Sequence, residues 1–171
     1  AAIGGYGLAL SVSMFVSLPQ LRIQQLTLVF FDNATSLRQL RKFIGLWMVF
    51  VTVVALVVVI PQTTEFLLTT VFSVSGDLKE NASDALLWLI PLPGLLVLKM
   101  HLYGAVLRIS RPRIAWIGTG AGAITTVTVA IILFTTDLLH GSSIAAAAMT
   151  SGTLVETATL TAVAIQPLRK F

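Results

Sequence analysis

The sequence predicts an all-α integral membrane protein, and three observations support that fold class. Of the 171 residues, 56% are hydrophobic, and the mean hydropathy is +0.94. Only 11% are charged, whereas a soluble domain carries about 25%. Five apolar stretches reach the ~20 residues that a helix needs to cross a bilayer, and they are too long and too continuous for barrel strands. A soluble fold and intrinsic disorder are therefore excluded, and the lack of cysteine excludes disulfides.

The five predicted spans differ in what interrupts them. The first is broken at Pro19, the second has no charge, and the third contains Pro91 and Pro93. Proline lacks a backbone N–H, so each of these positions is expected to break or bend its helix. The fifth span carries one acid, Glu156. The predicted limits are 3–31, 43–60, 85–107, 114–134 and 144–165.

The loop between the second and third spans covers residues 61–83. Its apolar section 65–74 is too short to span a membrane, so we expect one short helix lying at the membrane surface. Ser83 is expected to cap the start of the third span, with Asp84 favouring the positive helix end. Asn81-Ala82-Ser83 also matches a glycosylation sequon, which is the alternative interpretation of the same residues.

The basic residues predict the orientation of the spans. Eight of the eleven fall on one side if the helices alternate, and the positive-inside rule places that side in the cytoplasm. The C-terminus is then cytoplasmic, and a plasma membrane (the inner membrane in a bacterium) is expected. Because the chain opens at Ala1 inside apolar sequence, residues 1–171 are interpreted as a single membrane domain that is a piece of a longer protein. The eight residues are Arg38, Arg41, Lys42, Arg108, Arg111, Arg113, Arg169 and Lys170.

A polar stripe runs along the first span. Its members are spaced 4, 3, 4 and 3 residues apart, which places them on one helical face. Such a face should contact other helices or a water-filled cavity. The stripe is therefore interpreted either as a set of hydrogen bonds between helices or as the wall of a cavity. Arg22 lies on a different face, where it either snorkels or faces a substrate. The stripe consists of Ser13, Ser17, Gln20, Gln24 and Thr27.

Three ionisable residues lie inside the third and fifth spans. Lys99 is nine residues before Arg108, so it needs a partner or water at its depth in the membrane. Glu156 shares a helical face with small residues and should point into the bundle, where it must be protonated, hydrated or paired with a base such as Lys99 or Arg22. Such a pair would be structural or would serve in substrate or proton coupling. His101 lies nearly opposite Lys99 on the helix, either as a packed residue or as a proton carrier.

Residues 118–123 match the dinucleotide pattern G-x-G-x-x-A, with Asp137 at a plausible distance. No strand precedes them, so Gly118 and Gly122 are interpreted as a helix-packing contact instead. No nucleophile or metal motif is present, and His101 and His140 are expected at opposite depths. The sequence therefore predicts no enzyme, no cofactor, no metal and no nucleic-acid partner.

The order of these features resembles the multidrug/oligosaccharidyl-lipid/polysaccharide exporter superfamily, the MATE-like transporters. The similarity is carried by the Pro-rich third span that ends His-Leu-Tyr-Gly at 101–104, by the basic turn after it, and by a last helix that opens His-Gly at 140–141 and carries Glu156. The resemblance implies two six-helix lobes around a central cavity. The chain would supply most of one lobe, with the second lobe as the better match.

The resemblance also implies a function. The chain would be a lobe of a secondary transporter that exports a polar, anionic solute by alternating access, as the progressive ankylosis branch does with pyrophosphate, ATP and organic anions. Independently, Arg22, Lys99 and Glu156 together carry +1, which favours anions. A lipid-linked oligosaccharide flippase, a multidrug antiporter and a small structural or assembly subunit are the alternatives. The expected partners are the bilayer, a small polar or anionic solute and the remaining lobe.

Overall fold

The computed structural model describes residues 1–30, 34–109, 112–139 and 141–168, and 90% of the structure is helical, with no strand in these ranges. The all-helical fold class is therefore confirmed. The α-helices, in chain order, are α1 (Ala2–Ser17), α2 (Leu21–Phe30), α3 (Ala34–Val58), α4 (Pro61–Phe66), α5 (Asp77–Leu89), α6 (Leu92–Arg108), α7 (Pro112–Thr136) and α8 (Ser142–Leu168).

The chain is bent at both of its proline clusters. A 3₁₀ turn, Leu18–Gln20, separates α1 from α2 at Pro19. The axes of α5 and α6 meet at 46°, with Pro91 just before the start of α6. The bend brings Gly94 against α3, where a Cβ would lie 2.7 Å from Thr52 Oγ1. Both bends follow from the missing N–H of proline, as the sequence predicts.

The predicted helix cap at Ser83 is wrong. The helix begins at Asp77, after Gly76 in a left-handed conformation (φ 61°), so Ser83 lies within α5 and caps nothing. Asn81 is also helical, and its side-chain amide donates a 2.7 Å hydrogen bond to the Asp77 carbonyl. The predicted surface helix begins earlier than expected, as α4, and continues into a π-helical turn, Leu67–Val71.

Within the described residues, three helical segments are long and apolar enough to cross a membrane, which is compatible with an integral membrane protein. They are Ala2–Phe30, Ser36–Val58 and Arg113–Thr136, and the bent pair α5 and α6 makes a fourth if it is one span. The predicted count of five spans is not confirmed. The fifth predicted span corresponds to α8, which is 27 residues long but contains many Ser and Thr residues as well as Glu156.

Helix α6 lies at the centre of the packing, in contact with α2, α3 and α8. At one end of the bundle, Asn81 of α5 contacts Gly5 of α1 and Ser142 of α8. At the other end, Leu37 of α3 packs in one cluster with Ala105 of α6. The starts of α1, α5 and α8 are therefore at the end opposite the start of α3, the arrangement that alternating spans require.

Candidate functional site

The polar stripe of α1 and α2 is mostly buried inside the bundle. Thr27 is fully buried, and its hydroxyl donates to the Ile23 carbonyl at 2.8 Å. Ser17 donates in the same way to the Ser13 carbonyl at 2.8 Å. Gln24 is half-buried, and its backbone carbonyl lies close to Gly104 of α6. The stripe therefore faces other helices, mainly α6.

Gln20 differs from the rest of the stripe. It is only 1% exposed, yet neither polar atom of its side-chain amide has a hydrogen-bond partner among the described residues. It lines a pocket of about 170 Å³ between the α1 end of the first span and α6. Buried amides are normally hydrogen-bonded, so this one is an exception. Both of its polar atoms are enclosed, and Gln20 therefore borders the pocket without opening either atom to it. The pocket is lined by Met14, Ser17, Leu18, Gln20, Leu96 and Met100.

Ser13 repeats this arrangement on a smaller scale. Its hydroxyl oxygen is buried without a partner among the described residues, and it lines a cavity of about 20 Å³ beside the bend at Pro93. A volume of this size holds about one water molecule. Two residues of the stripe, Ser13 and Gln20, thus have enclosed polar atoms without a partner among the described residues, and both residues border a cavity.

A second polar cluster joins α6, α7 and α8. The Lys99 ammonium lies 2.6 Å from Glu156 Oε2, and the Lys99 side chain is 19% exposed against 8% for Glu156. The other carboxylate oxygen, Oε1, accepts hydrogen bonds from the Tyr103 hydroxyl at 2.6 Å and from the Thr119 hydroxyl at 3.0 Å. The Tyr103 and Thr119 hydroxyl oxygens also lie within hydrogen-bonding distance of each other. Each hydroxyl has a single proton, so only two of these three contacts can be hydrogen bonds at one time. We call these four residues the Glu156 network.

The glycines of α7 and α8 make this network possible. A Cβ on Gly152 would lie 2.7 Å from the Gly122 carbonyl, and one on Gly122 would lie 2.9 Å from the Glu156 Cβ. Only glycine therefore allows the two backbones to approach closely enough for Thr119 to reach Glu156. Residues 118–123 lie inside α7, so the G-x-G-x-x-A pattern has the helix-packing role predicted for it.

Sequence reasoning missed the roles of Tyr103 and Thr119. Tyr103 follows Lys99 by four residues and so shares its helical face, which is a signal the sequence contains. Nothing in the sequence indicates that Thr119 faces Glu156, because the threonines of α7 are spread around the helix and form no single polar face.

The structure does not bring His101 or Arg22 to the Glu156 network. His101 Nδ1 is 2.9 Å from the Thr27 hydroxyl, on the side of α6 that faces α2. Arg22 is exposed and donates to the side-chain carbonyl of Gln25 at 3.1 Å. His140, Arg111, Arg169 and Lys170 lie outside the described residues. In the part of the chain that is described, no three His, Asp or Glu side chains are grouped as metal ligands.

Comparison with known proteins gives no match to this chain among protein-family models, curated proteins or solved structures. Side-chain geometry and charge are therefore the basis for assigning a function.

Proposed function

We propose that this chain is a module of a secondary membrane transporter in which a polar solute passes the pocket at Gln20. One observation carries the proposal. A buried amide without a partner costs about 1–3 kcal/mol of stability, and an apolar residue of similar size would avoid that cost. Both polar atoms of the amide are enclosed in this conformation, so a solute would reach them only when the break between α1 and α2 opens.

The broken helices support transport rather than static packing. Transporter sites are commonly formed where discontinuous helices leave polar groups unpaired inside the membrane. Here Gln20 ends the 3₁₀ turn between α1 and α2, and Leu96, on the opposite pocket wall, lies one turn beyond the bend between α5 and α6. A change in either bend would alter the pocket, which is what alternating access requires.

The Glu156 network is proposed to control this movement. Lys99 and Met100 are adjacent in α6, so one residue pairs with Glu156 while its neighbour lines the pocket. Breaking and re-forming the pair would let α6 shift against α7 and α8. The pair is therefore a candidate for coupling solute movement to an ion or a proton, and it also stabilises the fold.

The charge of the solute follows from the same contacts. The predicted surplus of +1 requires Arg22, Lys99 and Glu156 to act together, but Lys99 and Glu156 neutralise each other and Arg22 is turned outward. No charged side chain is among the described residues that line the Gln20 pocket. These contacts favour a polar, uncharged solute over the anion that the resemblance to MATE-like transporters implies.

Efflux from cells that express the full-length protein tests the proposal. Labelled citrate, pyrophosphate and lactose would be loaded, and Gln20→Leu would be compared with Gln62→Leu, a matched change at an exposed position of α4. We expect efflux of lactose, the uncharged solute of the three, to fall in Gln20→Leu alone. Unchanged efflux of all three in Gln20→Leu, at equal protein level, would instead favour a structural or assembly subunit.

A lipid-linked oligosaccharide flippase is the second candidate, and the mouth of the pocket favours it. Leu18 and Met14 border the pocket and are 57% and 37% exposed, so the entrance is apolar. An acyl chain could lie in such an entrance. Dithionite quenching of a fluorescent-headgroup lipid in proteoliposomes distinguishes the two, because a flippase exposes inner-leaflet lipid to the quencher and a solute exporter does not.

A further inference from the structure

We infer that α2 and α3 together bind an anionic phospholipid, with its phosphate on Arg22 and its acyl chains in a groove between the two helices. The inference is independent of the proposed function, because the lipid lies on the outer surface of the bundle and not in the Gln20 pocket. Three observations support it: the groove, a cation beside each of its walls, and the charge of the two helices.

The groove lies at the end of the bundle where α2 ends and α3 begins. Its volume is about 310 Å³, at the lower end of the roughly 300–1,000 Å³ typical of ligand sites. On α3 its wall is polar in the first two turns of the helix and apolar further along, as a lipid is polar at one end and apolar at the other. The groove is lined by Leu26, Phe30, Ser36, Gln39, Leu40 and Phe43.

Arg22 borders the groove on the α2 side. It precedes Leu26 by one turn, so the two side chains lie on the same side of α2. Arg22 is exposed, and its one hydrogen bond among the described residues goes to Gln25 Oε1 at 3.1 Å. A guanidinium has five N–H donors, so others remain to hold two oxygens of a phosphate. Because Arg22 belongs to an apolar segment long enough to cross a membrane, an anion beside it offsets the cost of placing its charge there.

Lys42 supplies a second cation at the same depth. It follows the groove residue Gln39 by three positions, so it lies near that wall of α3. Arg22 is eight residues before the end of α2 at Phe30, and Lys42 is eight residues after the start of α3 at Ala34. At 1.5 Å per residue, both lie about 12 Å along their helices from this end of the bundle. A phosphate at that level has a cation from each helix within reach.

The charge of the two helices selects an anionic lipid over a zwitterionic one. They contain four basic residues, Arg22, Arg38, Arg41 and Lys42, and no acidic one. Asp32, between them in the sequence, lies outside the described residues and leaves the segment at +3. Phosphatidylcholine carries an ammonium group that these cations repel, whereas phosphatidylglycerol carries no positive group. Clusters of Lys and Arg at the end of a membrane helix are typical of binding to anionic lipids.

Trp47 provides a fluorescent reporter for the groove. It follows the groove residue Phe43 by one turn, and the two rings stack with their centroids 6.2 Å apart. Bromine on an acyl chain quenches tryptophan fluorescence on contact. The chain has three tryptophans, and the other two, Trp88 and Trp116, are 44% and 77% exposed. Phenylalanine can therefore replace both without changing the core, so that Trp47 alone reports.

The experiment measures quenching of Trp47 in vesicles with equal amounts of phosphatidylcholine and phosphatidylglycerol, one of which carries brominated chains. We expect phosphatidylglycerol to bind about fivefold more tightly, the preference that one basic side chain gives at an anionic surface. Arg22→Gln and Lys42→Gln should each lower this preference, and the double variant should remove it. Arg113→Gln is the matched control, an exposed arginine on α7, which packs against α8, and it should keep the preference.

Quenching in vesicles of brominated phosphatidylcholine alone is the folding control, and it should be equal in all variants because each of them retains the groove. Equal quenching by the two lipids in the chain with Arg22 and Lys42 intact would overturn the inference. A preference that survives in the double variant would overturn it as well. Loss of the preference in Arg113→Gln to the same degree as in Arg22→Gln would show a general attraction to positive charge and no site between α2 and α3.

Discussion

The Glu156 network and the Gln20 pocket both place buried polar side chains against α6, but they differ in how those side chains are paired. Glu156 has contacts from Lys99, Tyr103 and Thr119, which occupy both carboxylate oxygens. Gln20 is even less exposed and has no partner among the described residues. Because an unpaired buried charge costs far more than an unpaired amide, the fold can leave the amide without a partner but not the carboxylate.

The largest expected effect comes from breaking the ion pair. Lys99→Met keeps the length of the side chain but leaves the Glu156 carboxylate without its cation. We expect a loss of about 3 kcal/mol in unfolding free energy, at the lower end of the range for buried pairs because Lys99 is 19% exposed. Thermal or denaturant unfolding in detergent would measure it.

The double variant is the control for that prediction. Lys99→Met combined with Glu156→Met removes both charges, so it should recover most of the stability lost by Lys99→Met alone. A coupling energy below about 0.5 kcal/mol in the double-mutant cycle would mean that the pair stabilises the fold no more than an exposed ion pair does. The proposed difference between a paired Glu156 and an unpaired Gln20 would then be wrong.

The second prediction concerns the helix crossing that supports the network. Gly152→Ala places a methyl group 2.7 Å from the Gly122 carbonyl, which is backbone and cannot rotate away. We expect α7 and α8 to separate, at a cost of roughly 1–3 kcal/mol. Gly120→Ala is the matched control, since nothing lies within 4 Å of its Cβ position and alanine gains up to about 1 kcal/mol in helix propensity. Equal stability of the two variants would show that the close approach is not required.

The third prediction has the opposite sign. Gln20→Leu removes an amide that has no partner, so it should raise the unfolding free energy by about 1 kcal/mol while impairing efflux. The melting temperature in detergent, read beside that of Gln62→Leu, measures the effect. A loss of 2 kcal/mol or more would mean that the amide is paired after all, and that the pocket is a structural site like the Glu156 network.

The sequence predicts part of the difference between the Glu156 network and the Gln20 pocket. The breaks at Pro19 and before Gly94 follow from local chemistry, because proline lacks an N–H wherever it occurs. The need of Lys99 and Glu156 for partners follows equally from the cost of charge inside an apolar span. Gln20 could be placed on a polar face, but whether that face meets protein or a cavity depends on the neighbouring helices.

The remaining features depend on helix rotation and on long-range packing. The threonines of α7 are spread around the helix, so no periodicity indicates that Thr119 faces Glu156. Ser83 is a residue type that favours the N-cap position, yet α5 already begins six residues earlier, at Asp77. Asn81, within this extra turn, packs against Gly5 and Ser142. Such contacts between distant segments outweigh local preferences at helix ends.

The smallest predicted effect lies outside both polar regions, at the exposed pair between α4 and α5. Lys79 lies 2.8 Å from Glu65, and its hydrogen bond and charge hold the pKa of that carboxyl below its usual range. A lowered pKa in the folded state stabilises the fold at pH values above the unfolded pKa, and the contribution is lost as pH falls through the folded value. The melting temperature of the unmodified chain should therefore exceed that of Glu65→Gln slightly at pH 7, and the two should converge in acid.

Added salt should shrink the difference at pH 7, because both side chains are solvent-accessible. A salt-independent difference that persists below the folded pKa would show that Glu65 acts through packing rather than through its charge.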